Sequence, residues 1–392
     1  PASEGQQSRP AAASDPKGGF VVVWQERFPR AAQPRNTIRF QRFDPTGAAV
    51  GPNFRVDVLP GDTARNPAVD VGADGSFVII WEGGASEGRN RRTIWARRFA
   101  PDGSPRGREL RINTGSLQTL DPGVRDWRFG GPAVSIAPDG GFVVVWQDNG
   151  ARRCNESNIV MRRFNVRGEP VGGPTTVNTD LELNHIHPAV DHDAEGNAIV
   201  VWQTAAMLES ADERGVIYGR RFDAENGKAG PVVTVSDGRG FSSGPSLAVS
   251  PGGSSVVAWL ERPPDSERAG LVARGFSADG TPGPPIEVAT TSLGLAGRPV
   301  VVMAPGAGPS IVWAGRADDP SAGTVIRARN MGSGDEAPGP ATTLGPVTCL
   351  DRRLPVAAAF PNGDLLAVWQ VDRRTAIEGV RVRPSGREVS IQ

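Results

Sequence analysis

Asp139-Gly140-Gly141-Phe142-Val143-Val144-Val145-Trp146 is a tight turn running into an unbroken apolar stretch that ends on tryptophan. The stretch returns six more times, ending at Trp24, Trp81, Trp202, Trp259, Trp313 and Trp369. In chain order the tryptophans are separated by 57, 65, 56, 57, 54 and 56 residues. A glycine turn feeding a Val/Ile-rich run is a strand-initiation signal. Seven copies at a near-constant period describe one supersecondary unit repeated seven times, and the period outranks any local reading.

Working outward from the tryptophan, each unit contains four extended segments. A Pro-led apolar segment comes first, as in Pro67-Ala68-Val69-Asp70-Val71 and Pro188-Ala189-Val190. The tryptophan segment follows and is apolar at both parities, so both of its faces are expected to be covered. A third segment ends in Arg-Arg-Phe, as in Arg97-Arg98-Phe99, Arg162-Arg163-Phe164 and Arg220-Arg221-Phe222. After a Gly turn comes a fourth segment that alternates apolar and polar, such as Leu110-Arg111-Ile112-Asn113.

A small sheet with two apolar faces is unstable alone. Packing such sheets radially buries both faces, and closing the ring leaves only short edges. The expected fold is all-β: one seven-bladed β-propeller of four-stranded antiparallel blades. The blades are expected near residues 10–58, 67–114, 132–179, 188–237, 245–289, 299–344 and 355–392, with residues 1–9 as a tail. The Pro-led segment is placed at the axis and the fourth segment outside. In that phase no blade mixes strands from both termini; a one-strand shift would latch the ring by strand exchange, and the sequence leaves both open.

The fullest copy, Asp139 to Trp146 with Arg162 to Asn165, Gly168 to Gly172 and Val177-Asn178, resembles the tandem propeller-type repeats of large secreted bacterial proteins, including adhesin-like ones. The resemblance spans nearly the whole chain and weakens after residue 300. It implies a repeat propeller and an extracellular or cell-surface setting, and it does not specify a ligand. A propeller hosts enzymes, scaffolds and lectins, so function has to be read from a site.

Composition narrows the classes. Acidic and basic residues balance at 43 each, which gives no global field for nucleic acid. No apolar run approaches the roughly 18 residues of a membrane span. Lys17 and Lys228 are the only lysines, a bias read here as compositional rather than chemical. Phosphate-loop, zinc-protease and nucleophile-elbow motifs are missing, and no cofactor or metal is expected.

Candidate site residues follow from the topology. Links between segments one and two and between three and four are short turns on one rim. The other links are long and irregular and share the opposite rim, where binding is expected. On that rim lie Arg125, Trp127 and Arg128, in an insertion with the composition of an interaction hot spot, and the adjacent Arg352 and Arg353. His185 and His187 point the same way in an extended chain, with Asp191 and Asp193 nearby. Together they offer ligand contacts or, less simply, a divalent-metal pair. Cys154 and Cys349 fall in long-rim loops and would form a disulfide only if their Cα atoms approach within about 7 Å. The function expected is a non-enzymatic binding or assembly module for a protein or glycan, with self-assembly in view. The alternatives are a polysaccharide-acting hydrolase or lyase at the channel mouth, and a structural subunit.

Overall fold

The structure is a computed structural model of all 392 residues. It describes residues 5–28, 35–58, 64–83, 91–114, 117–118, 131–148, 157–180, 183–205, 215–238, 240–264, 266, 269–291, 297–304, 308–317, 323–332, 338–346, 352–371, 376–383 and 388–391. Among these, the regular elements are all strands, and no helix is long and apolar enough to cross a membrane.

Seven antiparallel sheets follow one another, each with its four strands in chain order; the second carries one extra short strand beside its third. The first strand of each blade touches the first strands of its two neighbours, and that of blade 1 (Gln6–Ser14) touches that of blade 7 (Arg352–Ala359). The ring is therefore a closed seven-bladed propeller with the Pro-led strands innermost. Among the described residues no strand is exchanged between the termini, which settles the phase that the sequence left open.

The hydrophobic core is seven wedges, one between each pair of adjacent blades. The second strand of blade 3 (Phe142–Asp148) shows how one stretch serves two of them. Phe142, Val144 and Trp146 face blade 2, while Val143 and Val145 face blade 4. Strand alternation makes this division unavoidable. In every blade the tryptophan faces the preceding blade, and all seven are at most 7% exposed. None of these seven tryptophans is a surface ligand platform.

The innermost strands begin earlier than the prolines suggested. In five blades the strand starts two to four residues before Pro and crosses a bulge, as at Ser8/Ala11 and Ile186/Ala189. Residues 6–9, expected as a tail, thus belong to the innermost strand of blade 1. A proline has no N–H for the ladder, and a bulge is where a sheet tolerates that loss. The residue before Pro turns left-handed at Arg9, Asn66, His187 and Leu354, with φ of 52°, 51°, 56° and 51°. Gly244 supplies the same conformation at φ 62° without a Cβ penalty.

The Arg-Arg-Phe segments act between blades. The first arginine reaches back to a carbonyl where the previous blade's fourth strand ends: Arg97 to Val56 O at 2.8 Å, Arg162 to Ile112 O at 2.6 Å, Arg220 to Val177 O at 2.8 Å and Arg274 to Val235 O at 3.0 Å. The second reaches forward to the next blade's outer turn: Arg42 to Asp102 O at 2.6 Å, Arg98 to Val166 O at 2.6 Å and Arg221 to Ala278 O at 3.0 Å. Arginine at these positions thus has a structural use beyond compositional bias, because its long planar fork donates in fixed directions. The repeated Val-Asn is explained too. Asp57, Asn113 and Asn178 accept the N–H of Ile38, Ile94 and Ile159 at 2.7, 2.8 and 2.9 Å, continuing the ladder after the strand has ended.

Where blade 7 meets blade 1, Arg381 performs the forward contact, donating to Pro45 O at 2.7 Å and Gly18 O at 2.9 Å. It also pairs with the buried Asp364 at 2.7 Å and lies 3.8 Å from the Phe360 ring centroid. Removing one partner of a buried ion pair strands the other charge. Arg381→Ala is expected to lower the unfolding free energy by about 3–5 kcal/mol. Arg220→Ala, which strands no charge but only the Val177 and Gly230 carbonyls, should cost about 1–3 kcal/mol. Denaturant titration of both variants compares the two.

Candidate functional site

The innermost strands run from the long-loop rim to the short-turn rim, so the residues before each proline ring the loop-side mouth of the axial channel. Along these strands charge is sorted. Arg9, Arg65, His185, His187, Arg352 and Arg353 precede their prolines, and so does Arg298 just ahead of its strand; Asp70 and Asp191 follow theirs. A chain with no net charge therefore sets Arg9, Arg65, Arg298 and Arg353 toward one end of its channel and Asp70 and Asp191 toward the other.

At the loop-side mouth, polar groups interlock across blades. Arg9 Nη1 donates to Asn66 Oδ1, and Asn66 Nδ2 donates to Glu82 Oε2 at 3.1 Å. The backbone N–H of Arg9 donates to Gln370 Oε1 at 3.3 Å. Gln203 Oε1 accepts the Gly244 N–H at 3.0 Å and also faces His187 Nδ1 at 3.0 Å. Because Gly244 fixes that atom as oxygen, His187 carries a proton on Nδ1 and donates it to Gln203. Arg298 Nη2 donates to Pro245 O, and burial pushes its guanidinium down to about 10. The residues after Trp81, Trp202 and Trp369 thus brace residues that stand before a proline.

His185 has a different task. Trp202 Nε1 donates to His185 Nδ1 at 3.0 Å, so His185 Nε2 bears the proton and donates to Asp180 O at 2.8 Å. Burial lowers its pKa, which keeps the ring neutral for that role. The expectation that His185 and His187 project together is corrected: the bulge between Ile186 and Ala189 intervenes, sending one ring to the tryptophan and the other to Gln203. Among the described residues no group of three or more His, Cys, Asp or Glu gathers as metal ligands.

Of the other residues singled out in the sequence, Arg353 is exposed at this mouth. Arg352 contributes backbone to the same strand, and its side chain lies outside the described residues. Arg125, Trp127, Arg128, Cys154 and Cys349 also lie outside the described residues. The sequence reading missed Arg9, Asn66, Gln203 and Arg298. The available signal was positional: the residue before each repeated proline and the one after each repeated tryptophan.

The turn-side end opens into a cavity of about 230 Å³ lined by the ends of the innermost strands. Asp70 Oδ2 accepts the Ile136 N–H at 2.7 Å, and Asp191 Oδ2 accepts the Val249 N–H at 2.8 Å. Burial pushes the Asp70 carboxyl up to about 6; burial, with Asp70 adding repulsion, pushes Asp191 up to about 7. His192 Nδ1 lies 2.7 Å from Ser135 Oγ, and burial drives that imidazole down to about 4.

No protein-family model matches the chain, and no curated protein sequence matches it. Solved structures do match. An ulvan lyase of polysaccharide lyase family PL25, bound to -[GlcA(1-4)Rha3S]-, superposes with a TM-score of 0.61 at 12% identity, over 99% of this chain and 95% of its own. The polysaccharide lyase Uly1 gives 0.55 at 9% identity over 97% and 90%. An α-L-arabinanase from Penicillium chrysogenum complexed with arabinobiose gives 0.51 at 12% identity over 93% and 88%. At these identities the likeness establishes the propeller and carries no activity over by itself. The expectation of a non-enzymatic binding or assembly module is nonetheless corrected: these neighbours are glycan-acting enzymes, which agrees with the polysaccharide-acting alternative instead.

Gln203→Leu removes the acceptor shared by His187 and Gly244. It is expected to cost about 1–3 kcal/mol for the stranded donors. Measured by chemical denaturation, a loss no larger than that of an exposed substitution would contradict this bracing role.

Proposed function

We propose that the chain is a polysaccharide-acting enzyme of the lyase type, cleaving an acidic glycan at the loop-side mouth of the channel. The observation that carries the reading is the loop-side mouth itself, where Arg9, Arg65 and Arg353 stand ahead of their prolines on a fold like that of glycan-acting enzymes; His187, buried beside it and held by Gln203, is the base assigned here. The extracellular setting implied by the repeat resemblance, where such polymers occur, belongs to the same proposal.

The chemistry fits the groups present. In a uronate, the proton at C5 lies α to the carboxylate, and its removal is opposed by the negative charge already there. An arginine on the carboxylate neutralises that charge and favours the enolate-like transition state. His187 Nε2 takes the C5 proton as general base, the C4–O bond breaks, and the departing oxygen gains a proton. The products are a 4,5-unsaturated uronate at one new end and a free hydroxyl at the other. Arg353, exposed beside this mouth, is suited to hold the carboxylate.

Incubation with an acidic polysaccharide should yield the ultraviolet absorbance of the conjugated double bond. Asn tolerates the left-handed backbone at position 187, so His187→Asn preserves the fold and should reduce kcat about 10²–10⁴-fold. Arg353→Ala, losing one charge-assisted contact, should raise KM by about tenfold. New reducing ends without the unsaturated product would move the reading to glycoside hydrolysis. No cleavage of acidic or neutral glycans would refute it.

A further inference from the structure

The turn-side cavity is unused by that chemistry, and its two carboxylates are tied into the ring. Asp70 in blade 2 clasps the backbone of Ile136 in blade 3, and Asp191 in blade 4 clasps that of Val249 in blade 5. Ser135, between them, donates weakly to Asp191 Oδ1 at 3.4 Å. Farther round, Ser246 Oγ accepts the Val301 N–H at 3.0 Å, and Ser14 Oγ donates to Ala359 O at 2.6 Å. Side chains thus stitch neighbouring innermost strands together around the cavity, and two of the stitches are titratable.

We infer that this end of the channel is a proton-holding belt: Asp70 and Asp191 face one cavity, each grips the next blade, and the ring gains cohesion as the solution is acidified through neutrality. Backbone N–H groups bond these carboxylates, but the strands lining the cavity bring no opposite charge to them. The cavity-lining ends of blades 1, 5, 6 and 7 are 12–14, 247–249, 301–303 and 357–359, and they carry no ionisable side chain; neither does the innermost strand of blade 3, Ala133–Ile136, between the two aspartates. His192, on the alternate face, bonds Ser135 and sits among Asp193, Asp139 and Arg163. Both aspartates face the same cavity, and the charge of Asp70 adds to the upward push on Asp191.

The sign follows from linkage. A carboxyl raised in the fold binds a proton that the unfolded chain has already released, so it adds stability at low pH and loses it as pH rises. For these two groups the loss runs from the ordinary 3.8 up to about 6 and about 7. His192, lowered to about 4, works in the opposite sense over part of that window, so variants are needed to isolate the pair.

The test compares melting temperatures of the whole chain and its Asp70→Asn and Asp191→Asn variants at about pH 5 and about pH 8. Carbon NMR of the aspartate carboxyls in the unaltered protein runs alongside. Each variant should melt several degrees above the unaltered protein at the higher pH and lose that advantage at the lower one. In Asp70→Asn the Asp191 carboxyl should titrate at lower pH, because the like charge is gone. Equal melting shifts at both pH values would overturn the belt. So would both carboxyls titrating in the ordinary aspartate range of the unaltered protein, a reading that stands even if a variant fails to fold. Neither result bears on glycan cleavage at the other mouth.

Discussion

A four-stranded sheet with apolar side chains on both faces has to find a partner on each side. That requirement shapes the whole molecule. The second strand of every blade divides its side chains between two wedges, and the tryptophan always enters the wedge shared with the preceding blade. No blade has a private core, so each is stable only as part of the ring. Buried area of this kind is non-directional. It explains why the sheets come together and leaves open how they are held in register.

Register comes from polar groups placed between the wedges. Paired arginines reach backward and forward from the third strands of blades 2, 3 and 4 to carbonyls on the adjoining blades, in a direction fixed by the planar guanidinium. A lysine at those positions would supply charge without the fork. The contact between first and last blades uses the same forward arginine, with Phe20 edge-on to Phe360 in the wedge beneath. A ring closed this way relies on packing and hydrogen bonds rather than on a shared sheet.

The mouth follows from a backbone rule being broken. A residue preceding proline is disfavoured in helical conformations and sits most easily in extended ones, yet four non-glycine residues there are left-handed. The bulge lets the strand pass its proline while keeping a useful face toward the core. It also turns a side chain, such as His187, away from the sheet pattern. Groups held in sparsely populated conformations often belong to function, and here the same feature separates two histidines that a regular strand would have aligned.

The repeat, the number of blades, their antiparallel order and the burial of the tryptophan strand were all legible in the residues, because periodicity and two-faced hydrophobicity are local properties of sequence. The residue before each proline was visible as a position but not as a conformation, since a regular strand and a bulge read alike in one dimension. The bond of Gln203 to Gly244, and the shared cavity of Asp70 and Asp191, bring together residues on different blades. Such pairings depend on how the blades sit around the axis. The sequence by itself determined that seven sheets must close on one another; only the tertiary structure decided which side chains meet at each end of the channel, because distance across a ring is not encoded in distance along the chain.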